Sequence, residues 1–148
     1  MNANGTISEI LHGKRPEIWT TSPDAMVYDA IELMAEKNVG ALLVMNGEQL
    51  VGIISERDYT RKVILKGKAS KQTAVKEILS GHIICVTPAH TIEECLRLMT
   101  EHRIRHLPVM EGDRTVAVIS IGDLVNWIIS AQSSTIQQLQ TYIAGVPG

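Results

Sequence analysis

The sequence predicts a mixed α/β (α+β) protein made of two small units that are related by a pseudo-twofold axis. Three observations carry this prediction: an internal repeat at one constant offset, an amphipathic helix in each repeat, and two short apolar runs around a turn in each repeat. The 148 residues are 45% hydrophobic and 20% charged, which is typical of a globular protein. Each unit is predicted to run strand, helix, strand, strand, helix, with small sheets packed against flanking helices.

The internal repeat needs no gaps. An offset of 65 residues (123 − 58) aligns Asp58 with Asp123. Further identical pairs at this offset are Pro23 and Pro88, Met34 and Met99, Glu36 and Glu101, Val44 and Val109, Met45 and Met110, Gly47 and Gly112, Val51 and Val116, Ile54 and Ile119, and Ser55 and Ser120. A weaker similarity, at an offset of 68 (75 − 7), pairs residues 7–11 with residues 75–79. Identities at a single offset indicate a duplicated unit.

The repeat also sets the predicted boundaries. We interpret residues 6–66 as the first repeat and residues 74–129 as the second. Residues 130–148 follow as a linker and a short C-terminal helix, because their apolar residues have helical spacing. These residues are Ile136, Leu139 and Ile143. This helix could pack on its own module or on another subunit.

One amphipathic helix is predicted early in each repeat. Apolar residues recur there at positions i, i+3, i+4 and i+7, the spacing of one helix face. They are Val27, Ala30, Ile31 and Met34 in the first repeat and Ile92, Cys95, Leu96 and Met99 in the second. Thr91 and Glu94 have the spacing of a capping box, which predicts that the second of these helices begins after Thr91.

A hairpin is predicted after each of these helices. Short apolar runs at residues 41–45 and 50–54 surround Asn46-Gly47, a strong hairpin signal because both turn residues tolerate positive φ. Residues 107–119 repeat the pattern around Gly112. Further helices are predicted at residues 56–66 and 122–131, and short strands at residues 18–20 and 83–86. Since a unit of about 60 residues buries too little surface to be comfortably stable alone, the two sheets are expected to pack together.

The charge distribution disfavours nucleic-acid binding. The net charge is −2, whereas nucleic-acid-binding domains are usually strongly basic. Residues 57–76 contain seven Lys and Arg residues and Asp58 as the only acid, but stacking aromatic residues are missing there apart from Tyr59. A solvated face and an anion-binding role both remain open for this cluster.

The cysteine content and the hydrophobic pattern also indicate the cellular compartment of the protein. The two cysteines, Cys85 and Cys95, form no disulfide framework and no CxxC motif, so both are predicted to be buried thiols. Residues 1–13 lack the pattern of a secretory signal, and no run of about 18 apolar residues could span a bilayer. A cytoplasmic protein without a membrane partner is expected.

The two predicted junctions between hairpin and second helix share the spacing Ser-x-x-Asp, as Ser55 with Asp58 and Ser120 with Asp123. A serine before a helix with an acid three residues later satisfies free backbone amides by itself. Helix capping is therefore the simpler interpretation. The alternative is a binding role, in which the aspartate accepts hydrogen bonds from a ribose diol while the serine hydroxyl and the first amides meet ribose or phosphate.

A second candidate constellation is Arg105-His106, just before the second hairpin. Both residues could complement the dipole of a preceding helix. Alternatively, Arg105 is a phosphate clamp, because its guanidinium matches phosphate geometry, and His106 is a second donor. His102 and His106 also have the spacing of a zinc pair, but Pro108 argues against a continuous helix and no third ligand is evident, so no metal site is predicted.

Several segments together resemble a pair of cystathionine-β-synthase (CBS) domains, often called a Bateman module. They are Gly-Ile-Ile-Ser-Glu-Arg-Asp, Val-Ala-Val-Ile-Ser-Ile-Gly-Asp, Thr-Ser-Pro, Val-Thr-Pro and Arg-His-Leu-Pro-Val. The resemblance covers residues 6–127. The basic loop Lys-Gly-Lys-x-Ser-Lys-x-Thr and the C-terminal Tyr-Ile-x-Gly are similar to those of stand-alone bacterial CBS-pair proteins.

The resemblance implies two related clefts between the repeats, each able to hold an adenosine moiety. The residues it implies for the first cleft are Ser55, Arg57, Asp58, Ile84, Val86, Thr87, Arg105, His106 and Pro108. Those it implies for the second cleft are Trp19, Thr20, Thr21, Gly40, Ala41, Ser120 and Asp123. The second cleft carries Gly40 and Ala41 at the positions that match Arg105 and His106, so weaker phosphate binding is expected there.

The implied function is a non-catalytic regulatory sensor of adenine nucleotides such as AMP, ADP, ATP or NAD, without a cofactor. It would act as a homodimer on a protein target that the sequence does not identify. The residues agree with a non-enzyme, because the sequence shows neither a Gly-rich phosphate loop nor a base beside a nucleophile. The alternatives are a nucleotide-independent dimerisation scaffold and, less favoured, a nucleic-acid-binding protein.

Overall fold

The computed structural model describes residues 5–13, 17–79 and 81–143. Its α-helices are α1 (Ile7–Gly13), α2 (Val27–Lys37), α3 (Glu56–Tyr59), α4 (Ile92–His102) and α5 (Ile121–Ile143). Its strands are β1 (Thr20–Thr21), β2 (Ala41–Asn46), β3 (Gln49–Ser55), β4 (His106–Glu111) and β5 (Arg114–Ser120). A π-helical turn (Thr60–Ile64) and two 3₁₀ turns (Ser70–Gln72 and Val75–Ile78) connect the two halves. The predicted α+β fold class is confirmed.

Each half contains a hairpin, as predicted. Strands β2 and β3 pair antiparallel from Ala41↔Ser55 to Asn46↔Gln49, and β4 and β5 repeat this register. Both turns contain a glycine with positive φ, +64° at Gly47 and +59° at Gly112. The first sheet has the order β1-β2-β3, with β1 parallel to β2. In the second half, the position that matches β1 forms only an isolated parallel bridge between Val86 and Val109.

Helices α2 and α4 are equivalent, and each ends at a residue in the left-handed region. These residues are Asn38 (φ 54°) and Arg103 (φ 55°). The predicted capping box of α4 is confirmed, because the Thr91 hydroxyl accepts from the Glu94 amide at 3.0 Å and the Glu94 carboxylate accepts from the Thr91 amide at 3.0 Å. The left-handed residue reverses the chain, so residues 103–106 leave α4 and enter β4 beside the neighbouring repeat.

The two halves exchange their leading segments. Helix α1 packs in the core of the second repeat, where Ile7 is fully buried beside Val86 and Ile92. The 3₁₀ turn Val75–Ile78 packs in the core of the first repeat, and the Val75 amide donates to the Ala25 carbonyl at 2.8 Å. These are the two segments that the weaker similarity aligned. Each half therefore completes the hydrophobic core of the other, which makes the pair one folding unit.

The second helices differ from their predictions. The helix expected at residues 56–66 is α3 followed by the π-helical turn. The helix expected at residues 122–131 does not end there: α5 runs unbroken to Ile143, so the linker predicted from residue 130 onwards is helical. Among the described residues, no helix combines the length and the hydropathy needed to cross a bilayer.

Candidate functional site

A cleft of about 570 Å³ lies between the two repeats, within the size range of small-molecule sites. The first repeat contributes Gly40, Ile53, Ser55, Glu56, Arg57, Asp58 and Arg61. The second repeat contributes His82, Ile84, His102, Arg103, Ile104, Arg105 and His106. The start of α3 meets the end of α4 and the start of β4 here, so the cleft exists only because the repeats pack together.

Ser55 and Asp58 form a capping box at the start of α3. The Ser55 amide and hydroxyl both donate to Asp58 Oδ2, at 2.9 Å and 3.0 Å, and the Asp58 amide donates to Ser55 Oγ at 3.2 Å. Asp58 Oδ1 faces Lys62 Nζ at 3.4 Å. The capping interpretation is thus confirmed. It does not exclude a binding role, because both side chains also line the cleft and a carboxylate can accept further hydrogen bonds.

Arg57 connects the two repeats across this cleft. Its Nη1 donates to the carbonyl oxygen of Arg103 at 2.9 Å, the residue that terminates α4 in the left-handed conformation. A cation is favourable at a helix C-terminus, where carbonyl groups lack helical partners. The bond joins the start of α3 to the end of α4 across the cleft.

The cleft carries an excess of positive charge. Its four arginines are Arg57, Arg61, Arg103 and Arg105, whereas its carboxylates are Glu56 and Asp58. Among the described residues, the side chains of Arg61, Arg103 and Arg105 form no ion pair or hydrogen bond, and all three are exposed. Guanidinium groups that line a cleft without a partner are suited to bind an anion, above all phosphate.

His106 lies half-buried between the two repeats. Burial lowers the pKa of its imidazole, and the carboxylates of Asp123, Glu56 and Asp58 act in the opposite direction. It is therefore biased towards the neutral form, which can both donate and accept a hydrogen bond. A Cβ atom on Gly40 would lie 3.4 Å from the His106 ring and 3.5 Å from Glu56, so a side chain at position 40 would occupy part of the cleft.

The structure brings together six of the nine residues predicted for the first cleft. They are Ser55, Arg57, Asp58, Ile84, Arg105 and His106. The other three do not line it. Val86 and Pro108 are buried in the interior, and Thr87 is exposed and bonded to His90 through its amide and hydroxyl. Residues 82–85 form no strand in the structure, and Val86 makes an isolated bridge to Val109 within the core of the second repeat, which the prediction overlooked. The ligand-binding roles of the six remain predictions.

The residues predicted for the second cleft have different surroundings. Gly40 lines the first cleft instead. Trp19 packs against the core of the first repeat, with Lys37 Nζ 4.4 Å from its ring centre. Thr20 lines a more open cavity between the two hairpin turns. Thr21 and Ala41 are half-buried at strand positions.

Ser120 and Asp123 repeat the capping geometry at the start of α5. The Ser120 amide donates to Asp123 Oδ2 at 2.9 Å, and the Asp123 amide donates to Ser120 Oγ at 3.1 Å. These two bonds match the amide bonds of Ser55 and Asp58. Neither Ser120 nor Asp123 lines the first cleft, so the two pairs share a cap but not an environment.

Sequence reasoning missed several cleft residues, above all Arg61, Arg103, His82 and His102. Arg61 follows Arg57 by four residues, which places both on one face of a helix, and this spacing could have revealed it. Arg103 carried no local signal, because its position depends on the left-handed end of α4. Both His102 and His106 line the cleft, but within the described ranges no group of three metal-ligating side chains comes together.

The cysteines lie outside this cleft. Cys95 is fully buried in the second core, and burial raises the pKa of its thiol to about 11. Cys85 is half-buried and lines the cavity at the hairpin turns, and burial raises its pKa as well. The prediction of a buried thiol is thus confirmed for Cys95, whereas Cys85 is only partly covered. Neither thiol has the lowered pKa of a reactive cysteine.

Comparison with known proteins agrees with the fold. CBSX3, a mitochondrial CBS domain-containing protein of Arabidopsis thaliana, is 41% identical over 95% of this chain and 72% of its own length. A solved CBS-domain protein from Burkholderia ambifaria MC40-6 is 48% identical, with a TM-score of 0.82 over 86% of this chain and 96% of its own. CBSX2, solved in complex with AMP, shares the fold at 23% identity, with a TM-score of 0.70 over 86% of this chain and 98% of its own.

The sequence model of one family describes the repeats directly. The CBS domain matches twice, at residues 7–64 and at residues 75–130. These two matches coincide with the two halves that exchange their leading segments, and together they cover most of the chain. With its paired hairpins, its inter-repeat cleft and its relatives, the chain belongs to the CBS domain family, as a tandem pair.

Proposed function

We propose that this CBS pair is a non-catalytic regulatory module that binds an adenine nucleotide in the first cleft. The observation that carries the proposal is the arrangement of the capping pair Ser55 and Asp58 beside unpaired guanidinium groups from the other repeat. A carboxylate is suited to ribose hydroxyls, and guanidinium groups are suited to phosphate. The AMP complex of CBSX2 supports the idea that this fold can hold such a ligand.

Regulation follows from the position of the cleft between two packed repeats. A ligand that contacts both repeats favours one packing arrangement over others, by its difference in affinity for them. Arg57 is the residue best placed to respond to such a change in packing, since it already connects α3 to the end of α4. A change in how the two repeats pack would alter the length of this hydrogen bond.

A thermal-shift panel of AMP, ADP, ATP, NAD and S-adenosylmethionine tests the proposed function. A specific ligand at about 100 times its dissociation constant should stabilise the protein by about 2.7 kcal/mol. Cytidine triphosphate is the matched control, because it carries the phosphates of ATP without adenine. If no adenine nucleotide stabilises the protein, the dimerisation scaffold becomes the better function. Salt-sensitive binding of DNA or RNA would instead favour the nucleic-acid alternative.

We further propose that the protein is a homodimer formed through α5. Six apolar residues of this helix are 40–81% exposed. At about 100° per residue they fall within about 80° of the helix circumference, and they are Ile121, Val125, Ile129, Ile136, Leu139 and Ile143. Asp123 is the only charged residue in α5, so two copies of this stripe can meet without like-charge repulsion. Such a self-complementary surface suits a twofold dimer.

Sedimentation at micromolar concentration is expected to show twice the chain mass of 16.3 kDa. Replacing both Ile136 and Leu139 with glutamate should shift the protein to the monomer, because four charges would then face each other in the interface. Leu65→Glu is the control, since Leu65 is 71% exposed on a different surface, and it should leave the dimer intact. A wild-type species of single-chain mass would contradict the dimer.

A further inference from the structure

The first cleft contains more unpaired guanidinium groups than a single phosphate needs. Arg105 lies at the entry to β4 and next to His106, and it lines the same cleft as the capping pair. Arg61 and Arg103 add two further guanidinium groups that have no partner among the described side chains. A monophosphate that is bound by Arg105 would leave these two cations unsatisfied.

The helix geometry separates Arg61 from the capping pair along the axis of α3. Helix α3 continues directly into the π-helical turn, which begins at Thr60, so Arg61 lies three residues beyond Asp58. At about 1.5 Å per residue this is roughly 4–5 Å further along the axis. Arg61 and Arg105 belong to opposite repeats and line the same cleft, so a phosphate chain that starts from a ribose at Asp58 can extend between them.

The end of α4 supplies the other side of this extension. Arg103 has a left-handed backbone (φ 55°), and its carbonyl accepts the Arg57 hydrogen bond at 2.9 Å. The backbone of Arg103 is therefore held in position by the opposite repeat, while its exposed side chain remains free to reach a ligand. Of the two acids in the cleft, Asp58 already faces Lys62 at 3.4 Å, which leaves Glu56 as the remaining carboxylate against the cations.

From these positions we infer that the first cleft selects adenine nucleotides with two or more phosphates over monophosphates, and that Arg61 and Arg103 are the residues that set this preference. This inference rests on the proposed function. A hydrogen bond to a charged group contributes enough to change affinity tenfold or more. ADP and ATP should therefore bind at least about tenfold more tightly than AMP.

Isothermal titration calorimetry of AMP, ADP and ATP in magnesium-free buffer of fixed ionic strength tests the inference. Arg61→Ala and Arg103→Ala should each weaken ATP at least about fivefold and leave AMP within about twofold. Lys66→Ala is the matched control: it removes the same charge from an exposed residue of the same segment that lies outside the cleft. It should change the affinity of neither nucleotide by more than about twofold.

The outcomes separate the inference from the function on which it rests. If AMP binds as tightly as ATP, the preference for longer phosphate chains is wrong while nucleotide binding stands. If Lys66→Ala weakens ATP as much as Arg61→Ala does, the preference comes from general attraction to a basic surface and the two arginines do not set it. If none of the three nucleotides binds, the proposed function itself fails, and the inference fails with it.

Discussion

Replacing Asp58 with alanine is expected to lower the affinity for ATP at least about tenfold and the free energy of unfolding by about 0.5–2 kcal/mol. The carboxylate performs two tasks in the structure. It accepts hydrogen bonds from the Ser55 amide and hydroxyl at 2.9 Å and 3.0 Å, and it lines the cleft where a ribose diol would lie. The half-exposed pair with Lys62 adds little to stability.

Asp123→Ala separates these two tasks. Asp123 accepts the equivalent hydrogen bond from the Ser120 amide at 2.9 Å, so its loss should destabilise the protein by a similar amount. It does not line the first cleft, so the affinity for ATP should change by no more than about twofold. Urea unfolding measures the stabilities, and calorimetry measures the affinities. Equal affinity in the wild type and in Asp58→Ala would reduce Asp58 to a helix cap.

Local rules explain which parts of the fold could be predicted. The hairpins were placed correctly because Gly47 and Gly112 occupy positive-φ turn positions between apolar runs. Helix α5 was predicted as two pieces because residues 130–135 include three serines and a threonine, whose helix propensity is modest. No glycine or proline interrupts residues 123–144. The sequence therefore contains no helix-breaking residue that would end α5 near residue 131.

The exchange of leading segments lay beyond sequence reasoning. Residues 7–11 and 75–79 resemble each other, and either could have packed on the repeat that follows it. Only tertiary contacts show which core each segment completes. One such contact is the hydrogen bond from the Ile7 amide to the His90 carbonyl oxygen, at 2.9 Å. The first repeat was predicted to include residues 6–13, whereas in the structure these residues belong to the core of the second.

The residues of the candidate site were also predicted only in part. Ser55, Asp58, Arg105 and His106 were identified because each belongs to a short motif, and the resemblance to CBS pairs implies that these motifs meet in one cleft. Gly40 was assigned to the second cleft, whereas in the structure it lines the first. The pseudo-symmetry matches Gly40 to Arg105 but does not reveal that both positions border the same cleft. An offset in sequence therefore predicts equivalent positions and leaves open which cleft each of them will line.

Replacing Arg105 with alanine is expected to weaken AMP and ATP about tenfold or more and adenosine by no more than about twofold. Its guanidinium lines the cleft beside His106 and has no partner among the described residues, so it is free to form charge-assisted bonds to the first phosphate. Because AMP carries this phosphate, Arg105→Ala should weaken AMP, whereas Arg61→Ala should not. Calorimetry with the three ligands measures the difference.

Arg114→Ala is the control for this last comparison. Arg114 is also exposed and belongs to the same repeat, but it lies at the cavity between the hairpin turns, so its removal changes the net charge equally without touching the first cleft. It should leave all three affinities within about twofold. If Arg105→Ala weakens adenosine as much as AMP, Arg105 shapes the cleft without binding phosphate. If a nucleotide complex shows phosphate only beside Asp123, the phosphate site belongs to the second cleft and the assignment of Arg105 is wrong.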